Sequence, residues 1–408
     1  MLNTHLIPKK ATFAFVLVVV VLDIIALGIV VPVFPYILES FLHSTSDAGL
    51  LNGILIAVWG AMQFFASPVL GSLSDRFGRR PVILLSTLGL ACDYVLIALA
   101  PDLWWLFIGR ILGGLTSASI GTVYAYVADI TPAQNRVKAF GYVGAAFSFG
   151  FVIGPVLGGM IGEISFRAPF WTAAVFSSIT FLYGLFVLPE SLARDKRTPF
   201  SWKRANPLGA LTLLRTSRKL FTLAIINFLM NFCGYVFHAV FVLYTGYRFG
   251  FTPFHVGATL ALTAVLDMIV QAWLVGISVR FLKNEGTLIL GLTVGAMGTA
   301  MLALAPSPLL LILALFPQSL WGLAVPTIQT LMTSCVSETQ QGQLQGANTS
   351  LIAIAGVVAP VLFGSIYALF VKQWQFLNFP GAPFLVAALL LLFAAYLGWK
   401  IVRPKGEV

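Results

Sequence analysis

Four ionisable residues stand inside long apolar runs: Asp23, Asp93, Arg110 and Asp267. A charge in such surroundings is costly, so side chains of this kind are kept where they carry protons, ions or substrate. Asp23 lies 13 residues beyond Lys10 and Asp93 lies 12 beyond Pro81. At a helix rise of about 1.5 Å per residue, both sit roughly 18–20 Å in. Asp267 is 13 residues into its own run from the opposite side. A helical reading therefore brings three carboxyls to the middle third of a bilayer, where the proton on each can follow a proton gradient. Arg110 stays charged at any relevant pH and needs an anion, with Asp23 or Asp93 as its natural partner. The same residues also suit a structural ion pair, with the carboxylates tied to Arg110, to hydroxyls or to backbone.

Other residue patterns suit binding and motion rather than proton transfer. Asn227, Asn231, Tyr235 and His238 recur at close to helical spacing, on a face turned to substrate or to other helices. Gln318 and Trp321, between Pro317 and Pro326, suggest a bent aromatic wall. Glycines 150, 154 and 158 form a bare stripe beside Pro155, which frees a backbone bond, so another helix can approach and slide. Gly71-Ser-Leu-Ser-Asp75-Arg76-Phe-Gly78-Arg79-Arg80-Pro81 is a dense charged loop between two apolar runs. Its glycines allow a tight turn, and Asp75 can cap the next helix or pair with an arginine.

The elements that must position these groups follow from composition. Of 408 residues, 59% are hydrophobic and only 9% charged, with mean hydropathy +0.95. A soluble domain carries about a quarter charged residues. Apolar runs near 20 residues match a bilayer core of about 30 Å. Such runs fall at 11–33, 50–71, 81–100, 103–127, 138–162, 169–189, 219–245, 254–281, 286–305, 308–335, 343–371 and 382–402. The expected fold class is an all-α membrane protein of twelve transmembrane helices.

The net charge of +10 is topology rather than a nucleic-acid surface. Twenty of the 24 basic residues fall on the termini and loops of one side, three (Arg167, Arg248, Lys372) on the other, and Arg110 within a span. The positive-inside rule puts both termini in the cytoplasm. The first run is too long for a signal peptide and carries Asp23. Cys92, Cys233 and Cys335 lie in or beside spans with no CxxC or His pairing, so no metal site is expected. No Ser-His-Asp, metal or phosphate-loop constellation appears, which argues against an enzyme.

The chain repeats itself at an offset of 205 residues. Gly71 pairs with Gly276, Pro101 with Pro306, Gly141 with Gly346, Pro155 with Pro360 and Gly159 with Gly364. Two six-helix halves are expected, at 1–189 and 219–408, joined by a cytoplasmic linker at 190–218. In the linker, Asn206-Pro207 with Leu208–Leu214 suggests a short surface helix on a tether lying over anionic lipid. Duplicated halves of this kind are the transporter plan, with substrate bound between them near the midplane.

The charged loop resembles the one between spans two and three of major facilitator superfamily transporters, where it serves as an intracellular latch. The string Gly150-Phe-Val-Ile-Gly154-Pro155-Val-Leu-Gly158-Gly159 resembles the antiporter signature of drug exporters in that superfamily. The chain as a whole resembles the tetracycline/proton antiporter group. The resemblance is carried by Leu22-Asp23…Gly28…Pro32-Val-Phe-Pro35, the Ser74-Asp75 loop, Asp93-Tyr94, Arg110-Ile-Leu-Gly-Gly114-Leu-Thr-Ser-Ala118, Ala128-Asp129…Arg136-Val-Lys138, Gly162-Glu163-Ile-Ser and Gln341-Gly342-Gln-Leu-Gln345-Gly346. The resemblance implies proton-driven export of a bulky drug that arrives as a metal chelate, magnesium in the usual case. It implies coupling or binding roles for Asp23 and Asp93, a place near the drug for Gln63, and gating roles for Asp129 and Arg136 beside the loop and the glycine helix. This chain has Asp267, followed by the matching Gln271, where those exporters usually carry a histidine, and Gly295 where they carry an aspartate.

The expected function is therefore a proton-coupled antiporter of an amphipathic, tetracycline-like compound, working by alternating access as a monomer in a bacterial cytoplasmic (inner) membrane. Its expected partners are a small molecule, protons and the bilayer, with no cofactor. Two other readings stay open: export of a siderophore, sugar or other metabolite on the same fold, and a non-transporting membrane receptor.

Overall fold

The structure, a computed structural model, describes residues 9–117, 119–132, 135–198, 209–337 and 340–402. The described residues are helical with connecting turns and contain no strand. In chain order the helices are α1 (Lys9–Val30), α2 (Phe34–Leu42), α3 (Thr45–Phe77), α4 (Arg79–Leu99), α5 (Leu103–Thr116), α6 (Ser119–Ile130), α7 (Arg136–Gly162) and α8 (Ala168–Phe186). They continue as α9 (Arg218–Phe249), α10 (Pro253–Ile269), α11 (Val275–Leu304), α12 (Pro308–Ser319), α13 (Ala324–Thr333), α14 (Gln341–Ala368) and α15 (Ala382–Val402).

Eleven stretches of the described residues are long and apolar enough to cross a membrane. One of them, Pro253–Leu304, has 52 residues. That is about 78 Å of helix against a hydrocarbon core of about 30 Å. Lys283, at φ 57° and ψ 179°, breaks it, so it is two spans. The protein is thus an all-α multi-pass membrane protein with the expected twelve spans.

By contact the chain divides into two compact units. One gathers the described residues within 1–37, 58–206 and 252–261; the other gathers those within 38–57, 207–251 and 262–408. In the first, α1 packs on α7 and α8, and α4 on α8 and α5. In the second, α9 packs on α14 and α15, and α11 on α15 and α12. These are the same neighbours at the 205-residue offset. The repeat extends to helix starts: the Asp102 carboxylate accepts from the Trp104 N–H at α5, and the Ser307 hydroxyl accepts from the Leu310 N–H at α12. Each cap satisfies an N–H that the first helical turn leaves open.

Both units break one span near its middle. In the first, α5 ends at Thr116 and α6 begins at Ser119. In the second, a 3₁₀ turn at Leu320–Leu323 separates α12 from α13. A further irregularity is a π-helical turn, Val270–Leu274, directly after α10. Turns of this kind redirect side chains and often mark functional positions.

The linker departs from expectation. Residues 199–208, including Asn206 and Pro207, lie outside the described residues. The following Gly209–Arg215 is a 3₁₀ turn rather than an α-helix. Leu213 and Leu214 are 3% and 5% exposed, and the segment packs on α14. Burying two leucines against a helix competes successfully with lying on lipid.

Candidate functional site

In the first unit, Asp93 on α4 is 1% exposed. Gly109 and Gly113 on α5 make room for it. A Cβ at 109 would stand 2.7 Å from its Oδ1, and one at 113 would stand 2.5 Å from its Oδ2. Neither oxygen has a hydrogen-bond partner among the described residues. Asp93 and Arg110 form no salt bridge. The guanidinium of Arg110 lies over the Phe34 ring, 4.1 Å from its centroid, and its Nε has no hydrogen-bond partner among the described residues. A cation on a ring face recovers about 2 kcal/mol when desolvated. Tyr94, 2% exposed, lies in the field of Asp93, Arg110 and Asp23 together, so the structure brings these four into one neighbourhood.

Gln63 on α3 has a definite partner. Its Nε2 donates to the Ser117 carbonyl at 3.1 Å and to the Ser117 hydroxyl at 3.2 Å. It therefore satisfies polar groups freed where span four breaks, as backbone inside a bilayer requires.

In the second unit, Asp267 on α10 is partly exposed and makes no hydrogen bond or ion pair among the described residues. Gln271 is exposed on the π turn that follows. Trp321 sits in the 3₁₀ turn of span ten, and Gln318 beside it is 6% exposed. Tyr235 and His238 on α9 pack ring to ring at 5.8 Å, with His238 exposed.

The two asparagines of α9 have a different environment. Asn227 is 2% exposed and donates to the Asn348 Oδ1 at 3.3 Å. Asn348 donates to the Gln329 Oε1 at 3.1 Å, and Asn231 donates back to the Asn227 carbonyl at 2.8 Å. This amide chain ties α9, α13 and α14 together. Spacing marked the α9 pair but not their partners Asn348 and Gln329, because periodicity does not say which helix a face meets.

The charged loop forms a compact polar cluster. Gly78 turns at φ 109°, a conformation open to glycine, and donates its N–H to the Ser74 carbonyl at 3.1 Å. Arg79 donates to Asp75 at 2.6 Å, to the Ser74 hydroxyl at 2.6 Å and to the Asp129 Oδ2 at 3.2 Å. Arg80 donates to the Gly184 and Leu185 carbonyls at the end of α8. Arg76 is exposed over the Phe77 ring, and Arg136 donates to the Thr131 carbonyl, so neither joins the Asp75–Arg79–Asp129 group. Gly71 stands in open space.

Asp75 pairs with Arg79, and the helix start is satisfied by a residue that sequence reasoning passed over. Glu190 accepts from the N–H groups of Arg79 and Arg80 at 2.8 Å and 3.3 Å, and from its own Leu192 N–H at 3.0 Å. Ser191 adds a hydroxyl to Asp129 at 3.0 Å, and the Tyr126 hydroxyl holds the Pro189 carbonyl at 2.7 Å. The available signal was Pro189-Glu190-Ser191 directly after the sixth apolar run.

On α7 the glycines permit backbone contact. A Cβ at Gly154 would stand 2.7 Å from the Gly28 Cα on α1, and one at Gly158 would meet Ile29 at 2.6 Å. At Gly159 it would stand 2.6 Å from the Pro253 carbonyl oxygen, and Gly257 approaches the Pro155 carbonyl. The carboxylate of Glu163 finishes this contact by accepting from the Phe254 N–H at 3.0 Å. Hydrogen bonds from Thr252 and Phe254 hold its pKa below the ordinary carboxyl value.

Residues 16–360 match the family described as Major Facilitator Superfamily. The chain is 35% identical to Tetracycline resistance protein, class C, of Escherichia coli, over 91% of this chain and 92% of that protein. It is 34% identical to Tetracycline resistance protein, class H, of Pasteurella multocida, over 96% and 98%. A point mutant of the nucleoside transporter NupG shares its fold, with a TM-score of 0.79 at 14% identity over 96% of this chain and 100% of that one.

Proposed function

We propose, from the premise that this chain belongs to the Major Facilitator Superfamily, that it is a proton-coupled antiporter that exports an amphipathic, tetracycline-like drug. The observation that carries the coupling is Asp93, a carboxyl 1% exposed with no hydrogen-bond partner for either oxygen among the described residues. A buried carboxyl without a partner cannot keep a charge cheaply. Its charge is instead set by a proton, by water or by a ligand, which is what a coupling residue requires. Asp267, partly exposed and without an ion pair among the described residues, offers a second carboxyl, and Asp23 lies in the same neighbourhood as Arg110. Substrate and proton need only bind the two conformations differently for exchange to arise.

The tetracycline resistance proteins at 34–35% identity support a drug as cargo. In this reading the protein works as a monomer in a bacterial inner membrane with both termini in the cytoplasm, and the drug arrives as a magnesium chelate without any resident cofactor. The test is uptake of tetracycline into energised everted vesicles, with and without magnesium and a proton ionophore. Ionophore-sensitive, magnesium-dependent uptake supports the reading. No uptake by vesicles that hold folded protein overturns tetracycline as cargo.

A second reading keeps proton antiport and changes the cargo to another amphipathic compound. It is favoured by Asp267 and Gly295, which replace the histidine and aspartate usual in the tetracycline group.

A further inference from the structure

Span ten changes pitch where it crosses α11, and three glycines of α11 receive it. A Cβ at Gly291 would stand 3.0 Å from the Ala324 nitrogen and from the Leu323 Cβ. One at Gly298 would stand 2.5 Å from the Gln318 Cα, and one at Gly295 would stand 2.6 Å from the Trp321 Cβ and 3.1 Å from its Cα. The 3₁₀ turn is thus seated on bare backbone at three successive points. The far edge of the Trp321 ring reaches toward α9, 3.9 Å from a Cβ placed on Gly234. Held between α9 and α11, the indole stays partly exposed.

The surroundings are polar and unsatisfied. Gln318, near the end of α12, stands three residues before Trp321, a spacing at which helical side chains are neighbours. Gln318 is 6% exposed and its Oε1 has no donor among the described residues. On the facing π turn, the Gln271 Cγ lies 3.8 Å from a Cβ placed on Gly322, so Gln271 adjoins the same 3₁₀ turn with its amide exposed. Asp267, four residues earlier, has no counter-charge among the described residues. The indole face carries the negative side of its quadrupole, which attracts a flat cation. Its backbone is already immobilised, so stacking costs little further ordering.

We propose that Trp321 is the specificity-determining residue of the second unit. Its fixed indole face stacks on a flat, delocalised, cationic part of the substrate, and Gly295 is the positioning residue that sets where that face lies. The proposal rests on the transporter reading for its biological role, but the binding it describes is measurable without transport.

The experiment uses the full chain, purified into lipid nanodiscs. Equilibrium binding is measured for ethidium, which is flat, and tetraphenylphosphonium, which bears the same charge on a propeller. Trp321→Leu weakens ethidium about tenfold, the scale of one lost stacking contact, and tetraphenylphosphonium less than about twofold. Trp321→Phe keeps most of the ethidium affinity. Gly295→Ala, which pushes the indole off its seat, reproduces the ethidium loss, and adding Trp321→Leu to it costs nothing more. Should Trp321→Leu fail to fold, the Phe and Gly295→Ala variants decide by the same contrast. The proposal is overturned if wild-type protein binds neither probe, if both probes weaken equally, or if neither weakens. Ethidium bound as described but not moved by everted vesicles sinks the transport reading and leaves the stacking site standing. Uptake of ethidium that is indifferent to residue 321 does the reverse.

Discussion

The carboxylate of Glu190 accepts the backbone N–H of Arg79 at 2.8 Å, across 111 positions of chain. The start of α4 is therefore capped from the far end of the sixth span. This closes the charged loop, because the next residue, Ser191, bonds the Asp129 carboxylate that also takes Arg79. A negative charge there meets the positive end of the helix as well as two open N–H groups.

Glu190→Gln removes the charge and one acceptor at that helix start. The expected loss is about 1 kcal/mol of stability, from the ordinary worth of a charged cap. Purified protein should unfold a few degrees lower, and an unchanged midpoint would mean that Asp75 and Arg79 hold the loop by themselves.

Gly78→Ala strains the turn twice. Its φ of 109° disfavours any side chain, and the added Cβ would stand 2.6 Å from the Glu190 carboxyl carbon. A cost of about 2 kcal/mol or more is expected. Yield and melting temperature should fall further than for Glu190→Gln. A variant as stable as the parent would show that the loop adopts another path.

Asp93→Asn changes the ability to exchange a proton while keeping the shape that fits between Gly109 and Gly113. Since no hydrogen bond is lost among the described residues, the melting temperature should hold or rise. Gradient-driven uptake should disappear, while substrate binding persists. Uptake at wild-type rate would remove Asp93 from the coupling path.

Glu163 supplies a pH dependence of known sign. Its pKa is lowered in the folded protein by the Thr252 and Phe254 hydrogen bonds. A depressed folded pKa contributes stability above the unfolded value, about 4.3 for glutamate, and that contribution is lost as pH falls through the folded value. Glu163→Gln should thus lower the melting temperature slightly at pH 7, with the gap closing toward pH 3. The group is well exposed, so the difference is small. A gap that widens on acidification would reverse the assignment.

Much of this protein follows from one dimension. Bilayer thickness is constant, so apolar run lengths alone place the spans, and counting residues from span ends places Asp23, Asp93 and Asp267 near mid-depth. A 205-residue repeat in glycine and proline likewise announces two copies of one packing scheme, because turns and close approaches need those residues wherever the scheme occurs. Local turn chemistry marked Gly78 in the same way.

Partners across the bundle are another matter. Periodicity says which residues share a face but not what that face meets, since this depends on how each helix is rotated against its neighbours. Only the tertiary structure decided that Arg110 rests on Phe34 rather than bonding Asp93, and that Asn227 spends its amide on Asn348. Gln63 serves the broken backbone at Ser117 for the same reason. Gly295 shows the limit most plainly. In sequence it is one glycine among many in an apolar run, and in space it is the seat of Trp321, because a position without a Cβ is defined by what its neighbour puts there.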